Sequence, residues 1–264
     1  MTRFAQPVGD DELYLIELKN IILNASNGSA RSRQKAIGPS EVGDPCARKL
    51  AYKMLDVTAT NTATDPLPSI VGTGAHAWLA DMFEAWNKEN GRKRFWVEQR
   101  VVAGPVAGSC DLYDADKRLV IDHKFPGATG MKKYKTAGPS QVYRTQAHLY
   151  GLGHASAGRP VERVAIVFYP RGGTLGGTHM WSEPYSEQLA QQGIDRLMGI
   201  AAAIDMWMDA SGRDVAATIA NIPATVDYLC SYCPFLSYGS TDLSHGCPGE
   251  AMKQAPNQKE GTAA

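Results

Sequence analysis

Three strand-like runs follow one another within thirty residues, and they limit the fold more than any other stretch. They cover 95–102, 109–113 and 118–124, separated by Gly/Pro and Asp-rich turns. Before them, residues 74–89 carry Ala75, Trp78, Leu79, Met82, Phe83 and Trp86 at helical spacing. After them come a helix over 140–154, strands near 163–169 and 178–182, and a long helix over 186–209. Helix, strands, helix, strand, helix is the order of an α/β fold with a mixed central sheet flanked by helices. Two further helices are expected towards the N-terminus. One covers 11–25, with Leu15, Leu18 and Ile22 on a stripe, and a short one runs from Cys46 to Leu55. Residues 1–250 then form one domain: a helical part (10–90), a core (91–183), and a C-terminal helix with a cysteine region (184–250). Residues 251–264 are expected to be a disordered tail.

The strand runs carry the acids that matter. Gly108-Ser109-Cys110-Asp111 is followed, ten residues on, by Asp122-His123-Lys124. Adjacent strands can bring Asp111 and Asp122 to one edge of a sheet, and paired carboxylates make a hard oxygen site suited to Mg²⁺ or Mn²⁺. Asp122 and Lys124 are two apart on a strand and so share a face. The ammonium can then orient water and offset charge developing on phosphate.

Charge narrows the class of partner. The whole chain is neutral, with 27 basic and 27 acidic residues, so it is no polycation. Between Lys88 and Arg144, however, twelve Lys/Arg face six Asp/Glu, many of them in Arg92-Lys93-Arg94 and Lys132-Lys133-Lys135. Such a patch attracts phosphates. No apolar run is long enough to span a bilayer, and the N-terminus lacks a signal core, so a cytoplasmic protein without a membrane partner is expected. No P-loop is present, so any unwinding of a duplex would need a partner.

The series of motifs resembles the PD-(D/E)xK nuclease superfamily in its RecB-like branch. The family pattern is a helical histidine, Gly-x-x-Asp, acid-x-Lys and Gln-x-x-x-Tyr. It is met here by His76, Gly108 to Asp111, Asp122 to Lys124, and Gln146 to Tyr150. The resemblance implies a restriction-endonuclease-like core and a Mg²⁺- or Mn²⁺-dependent DNA exonuclease acting on single-stranded or unwound ends. It further implies that His76, Asp111, Asp122 and the His123 main-chain carbonyl hold the metal. Lys124 would be the catalytic lysine, and Gln146 and Tyr150 would contact DNA or steady the site. Tyr143, Arg144, Arg48 and Lys49 are expected on the DNA; the last two lie in a Cys-x-Arg-Lys-x-x-Tyr segment ending at Tyr52. Glu98, on the strand before Asp111, is a weaker candidate for a supporting or extra acidic role, and the favoured reading is an ordinary exposed glutamate. The setting implied is phage or prokaryotic recombination or DNA processing, with a recombinase, annealing protein or helicase as partner. The alternative on the same fold is a non-catalytic DNA-binding or scaffold protein.

Cys230-Ser-Tyr-Cys233, with Cys247 beyond, reads as metal chemistry rather than a disulfide framework. One early cysteine, Cys46, with three late ones resembles the iron–sulfur nucleases, CRISPR-associated RecB-like exonucleases and AddB-type nuclease domains among them. There a [4Fe-4S] cluster staples the chain ends around the core. Four thiolates also suit structural Zn²⁺, which stays the alternative. Cys110 is expected to be a small buried residue.

Overall fold

The computed structural model describes residues 10–27, 36–61, 65–225 and 228–249; the expected tail at 251–264 lies outside them. At its centre is a five-stranded sheet in the order β1-β2-β3-β4-β5, comprising Phe95–Ala103, Val106–Asp114, Leu119–Lys124, Arg163–Phe168 and His179–Pro184. Strands β1, β2 and β3 form an antiparallel meander. β4 runs parallel to β3, and β5 is antiparallel to β4. The sheet is therefore mixed, as the order of elements implied.

The meander's register follows from its turns. Gly104 and Pro105 join β1 to β2, with Gly104 at φ 58, a conformation open to glycine without steric cost. Ala103 then pairs with Val106, and the ladder runs back to Phe95 opposite Asp114. A parallel neighbour needs a crossover. The one between β3 and β4 holds two helices, α5 (Ala128–Ala137) and α6 (Gln141–Ser156), numbered after α1 (Asp10–Asn27), α2 (Pro39–Val42), α3 (Ala47–Met54) and α4 (Leu67–Glu89).

Each face of the sheet has its own core. On one side Val101, Cys110, Tyr113, Val120, Ile166 and Phe168 pack with Ala147 and Tyr150 of α6. On the other, Phe95, Val97 and Leu112 pack with Ala80, Phe83 and Trp86 of α4. Val97 and Val101 share parity and in a regular strand would share a face. They do not, because β1 reverses at Glu98, whose φ is 47. β2 reverses opposite it, between Cys110 and Leu112. A third core joins α3, α7 (Glu187–Ala210) and α8 (Val215–Ala220) to the sheet edge through Leu50, Tyr52, Val106, Leu149, Ile204 and Ile219.

Helix α4 is latched to β1 by the buried Asn87. Its Oδ1 accepts from the Arg94 and Phe95 amides at 3.0 and 2.9 Å, and its Nδ2 donates to the Phe95 carbonyl at 2.7 Å. Helix α6 is tied to β5 and α7 by a second polar group. Glu183 takes both Arg144 nitrogens at 3.0 and 2.8 Å and lies 2.8 Å from His148 Nε2, while the Ser186 amide donates to His148 Nδ1.

Several elements depart from the sequence reading. α4 begins at Leu67, not at residue 74, because Pro68 falls in its first turn, where a missing N–H costs nothing. α5 and α8 were not expected. α5 carries two glycines at its start (Gly127 as cap, Gly130 inside), which mask it, and α8 is only six residues, capped by Asp214. α1 forms as expected, and the Leu15, Leu18 and Ile22 stripe along it is exposed.

Candidate active site

The register of the meander builds the site. Continuing the β1–β2 ladder sets Glu98 opposite Asp111, and continuing the β2–β3 ladder past Leu112↔Ile121 sets Asp111 opposite Asp122. Three carboxylates thus lie in one row across three strands. Neither the Glu98/Asp111 step nor the Asp111/Asp122 step is a regular ladder pair, which leaves their backbones and side chains room to turn. Helix α4 brings His76 over the row, with Nδ1 3.4 Å from Asp111 Oδ2. His76, Glu98 and Asp111 each offer a ligand atom within 4.8 Å of the others, the only such group of three or more among the described residues.

Glu98 is the residue the sequence reading undervalued. It is exposed, as favoured from the sequence, but it also stands beside His76 and Asp111, which suits the extra acidic role that the sequence reading gave less weight. The signal was present: a two-residue Gly-Pro turn fixes the pairing, and counting back from it places residue 98 opposite residue 111.

Asp122 sits deeper, 1% exposed. Its Oδ1 accepts from Gln146 Nε2 at 3.0 Å, and Gln146 also reaches the Tyr150 hydroxyl at 3.2 Å. Lys124 Nζ lies 2.5 Å from Oδ2, a charge-assisted contact that pairs the buried carboxylate with a cation. The same ammonium lies 4.9 Å from the Tyr143 ring centre. Gln146 and Tyr150, one helical turn apart on α6, are themselves buried, so they brace Asp122 from below. The His123 amide donates to Asp111 Oδ2 at 2.7 Å, fixing that carboxylate from the neighbouring strand.

The two aspartates are tuned apart. Burial alone would raise Asp111, but the His76 contact and charge, the Lys124 charge and the His123 amide hold it below the usual carboxylate value. Burial pushes Asp122 up to about 6; the charge of Asp111 adds to this, and Lys124 and His76 oppose it. Glu98 is also raised, by burial and then by Asp111. His76 is raised because its contact with Asp111 outweighs burial, whereas burial lowers His123 to about 4. Clustered carboxylates that resist ionising together are stabilised by a cation between them. With His76, Glu98 and Asp111 each offering a ligand atom within 4.8 Å of the others and Asp122 next in the row, the donor set fits a hard divalent metal.

The row opens into a cleft of about 880 Å³, lined by His76, Glu98, Arg100, Asp111, Asp122, Lys124, Gln146 and Tyr150 and walled by 36–40. Gly108 allows that wall to approach. A Cβ there would lie 2.6 Å from Pro39 Cδ.

The four residues expected on DNA are otherwise engaged. Arg144 is bound to Glu183. Arg48 Nε donates to the Ile222 carbonyl at 3.0 Å, and Lys49 pairs with Asp44 at 2.6 Å. Tyr143 packs against Tyr134 and lies under the Lys124 ammonium. In the basic segment, Arg92 and Arg94 pair with Asp116 and Asp114.

Arg48 and Lys49 line a second, small cavity of about 20 Å³, together with Cys46, Cys230, Cys233 and Cys247. The chain ends are stitched around it. The Arg48 amide donates to the Pro223 carbonyl, the Thr60 and Asn61 amides to Pro234, and the Cys247 amide to Phe235. Burial raises the Cys233 thiol, and the Lys49 charge opposes that. Four soft thiol donors around one cavity fit a metal or an iron–sulfur cluster. Cys110 is elsewhere, fully buried against α6, as expected.

No family model and no curated protein matches the sequence. Among solved structures, an alkaline exonuclease (LHK-Exo) from Laribacter hongkongensis matches at TM-score 0.47 and 16% identity, over 69% of this chain and 94% of that one. Its complex with dAMP matches at 0.47 and 15%. A phage related exonuclease from Haemophilus somnus 129PT matches at 0.39 and 14%, over 58% and 77%. At these scores neither likeness assigns an activity to this chain. Among the described residues, no helix is long and apolar enough to cross a membrane.

Proposed function

We propose that this chain is a metal-dependent deoxyribonuclease of the PD-(D/E)xK type that degrades DNA from its ends. The observation that carries the reading is the row Glu98, Asp111, Asp122, with His76 above it and Lys124 paired to its deepest member. His76, Asp111 and Asp122 would hold Mg²⁺ or Mn²⁺, with Glu98 added to the set and the His123 carbonyl as a further donor. When bound, the metal supplies a polarised phosphate and a water of lowered pKa. The chain does the rest. Gln146 and Tyr150 fix the Asp122 carboxylate, and the His123 amide fixes Asp111. Lys124 keeps a cation beside Asp122, where negative charge grows on the phosphate during in-line attack. Single-stranded or unwound DNA ends are the substrate proposed.

A scaffold that only binds DNA has no need of a lysine paired to a buried aspartate. The test is incubation of end-labelled single- and double-stranded DNA with Mg²⁺ or Mn²⁺, beside Asp122→Ala and Lys124→Ala. Mononucleotides released from the ends by the intact protein, and lost in both variants, support the exonuclease. Intact DNA with either metal, or equal cleavage by the variants, refutes it.

We further infer that Cys46, Cys230, Cys233 and Cys247 hold a [4Fe-4S] cluster that closes the fold, with Zn²⁺ the other ion those thiols suit. In tetrahedral zinc the sulfurs lie about 3.8 Å apart, from a Zn–S bond of about 2.3 Å. The four thiols border one small cavity, and a soft four-thiolate set suits either group. Iron and zinc analysis of anaerobically purified protein decides between them.

A further inference from the structure

Arg100 has no role in the account so far. It lies on β1 opposite Ser109, two residues beyond Glu98, and its side chain lines the same cleft. Two residues along a strand span roughly 7 Å, so Arg100 is rooted close to Glu98 on the wall of the cleft. Of the cleft's cationic groups, Lys124 is paired with Asp122 and His76 contacts Asp111. The Arg100 side chain makes no ion pair and no hydrogen bond among the described residues. The acid nearest in sequence, Glu98, is turned by its positive φ into the His76–Asp111 group. An arginine left unpaired in the same cleft as a set of metal-binding donors offers a guanidinium fork that matches phosphate geometry.

Building on the nuclease reading, we propose that Arg100 forms a phosphate-binding subsite for the phosphate next to the one being cut. The substrate class is then a polynucleotide, not an isolated phosphodiester. Arg100 is a positioning residue, and its contribution is to hold the strand so that the scissile phosphate falls on the carboxylate row.

The test compares Arg100→Ala and Arg100→Lys with the intact protein on two substrates, single-stranded DNA and bis(p-nitrophenyl) phosphate. The second is a diester with no neighbouring phosphate. For Arg100→Ala, kcat/KM should fall at least about tenfold further on DNA than on the small diester, mostly through KM, as expected for one charge-assisted contact. Arg100→Lys should recover part of the loss. Equal losses on both substrates, or an unchanged KM for DNA, overturn the subsite. If the intact protein cuts neither substrate, the nuclease reading fails on its own. DNA binding in Ca²⁺, followed by fluorescence anisotropy across a salt series, still tests the subsite. Weaker binding by Arg100→Ala, with a salt slope smaller by about 1, supports it. Identical binding curves overturn it.

Discussion

Asn87→Ala separates the support of the site from its chemistry. Asn87 is 7% exposed and makes three hydrogen bonds to the backbone where β1 begins. Alanine deletes all three and leaves two amides and a carbonyl to find other partners. At about 1 kcal/mol per hydrogen bond, the loss is about 3 kcal/mol. For a chain of this size each kcal/mol moves the melting temperature by about 2–4 °C, so the expected drop is about 6–12 °C. Asn90→Ala is the control. It lies three residues further along the same helix end and makes one exposed bond to the Trp86 carbonyl, so its cost should stay within about 0.5 kcal/mol. Helix α4 carries His76 as well as Asn87. Loosening the latch should therefore also raise the Mn²⁺ concentration needed for half-maximal DNA cleavage, measured below the lowered melting temperature. The assay pair is a melt by circular dichroism and a metal titration of cleavage. A melting shift under 2 °C, or a shift equal to that of Asn90→Ala, would refute the idea that this latch couples helix to strand.

Other expectations follow from the same geometry. Gly108→Ala must push Pro39 away from a Cβ contact of 2.6 Å, which should cost about 1–3 kcal/mol and lower cleavage by displacing the wall of the cleft; wild-type stability and rate in this variant would contradict it. Glu183 has a carboxyl that burial would raise but that Arg144 and His148 hold below its ordinary value. Its stabilising effect is therefore complete above the unfolded carboxylate value of about 4.3 and is lost as pH falls through the lower folded value. Glu183→Gln should melt below the intact protein at pH 7, with the gap closing in acid; a gap that is the same at pH 7 and in strong acid would contradict this. Cys46→Ser should purify anaerobically with little iron or zinc and melt at lower temperature, and full metal content in this variant would remove Cys46 from the ligand set.

The parts of the site legible in the sequence were those whose chemistry and spacing repeat a pattern. Asp111, Asp122, Lys124, His76, Gln146 and Tyr150 could each be placed on a strand or helix by local periodicity. The pairing of Gln146 with Tyr150 followed from their one-turn separation. Less visible were features set by three-dimensional neighbours. Arg48, Lys49 and Arg144 read as free cations, but Ile222, Asp44 and Glu183 engage them, two from distant parts of the chain. The exposure of the α1 stripe depends on what surrounds it, which periodicity does not report. Glu98 was an intermediate case. Register from the Gly104-Pro105 turn put it opposite Asp111, while the positive φ that turns it towards His76 belongs to the folded strand alone.

The central claim is that the carboxylate row and His76 form one metal site. Calorimetric titration of the metal-stripped protein with Mn²⁺ tests it most directly, with Asp111→Asn as the comparison. The account predicts saturable binding by the intact protein, weakened at least about tenfold by Asp111→Asn because the shared central donor is lost. Equal Mn²⁺ affinity in the two proteins, or no binding by the intact one, would contradict it.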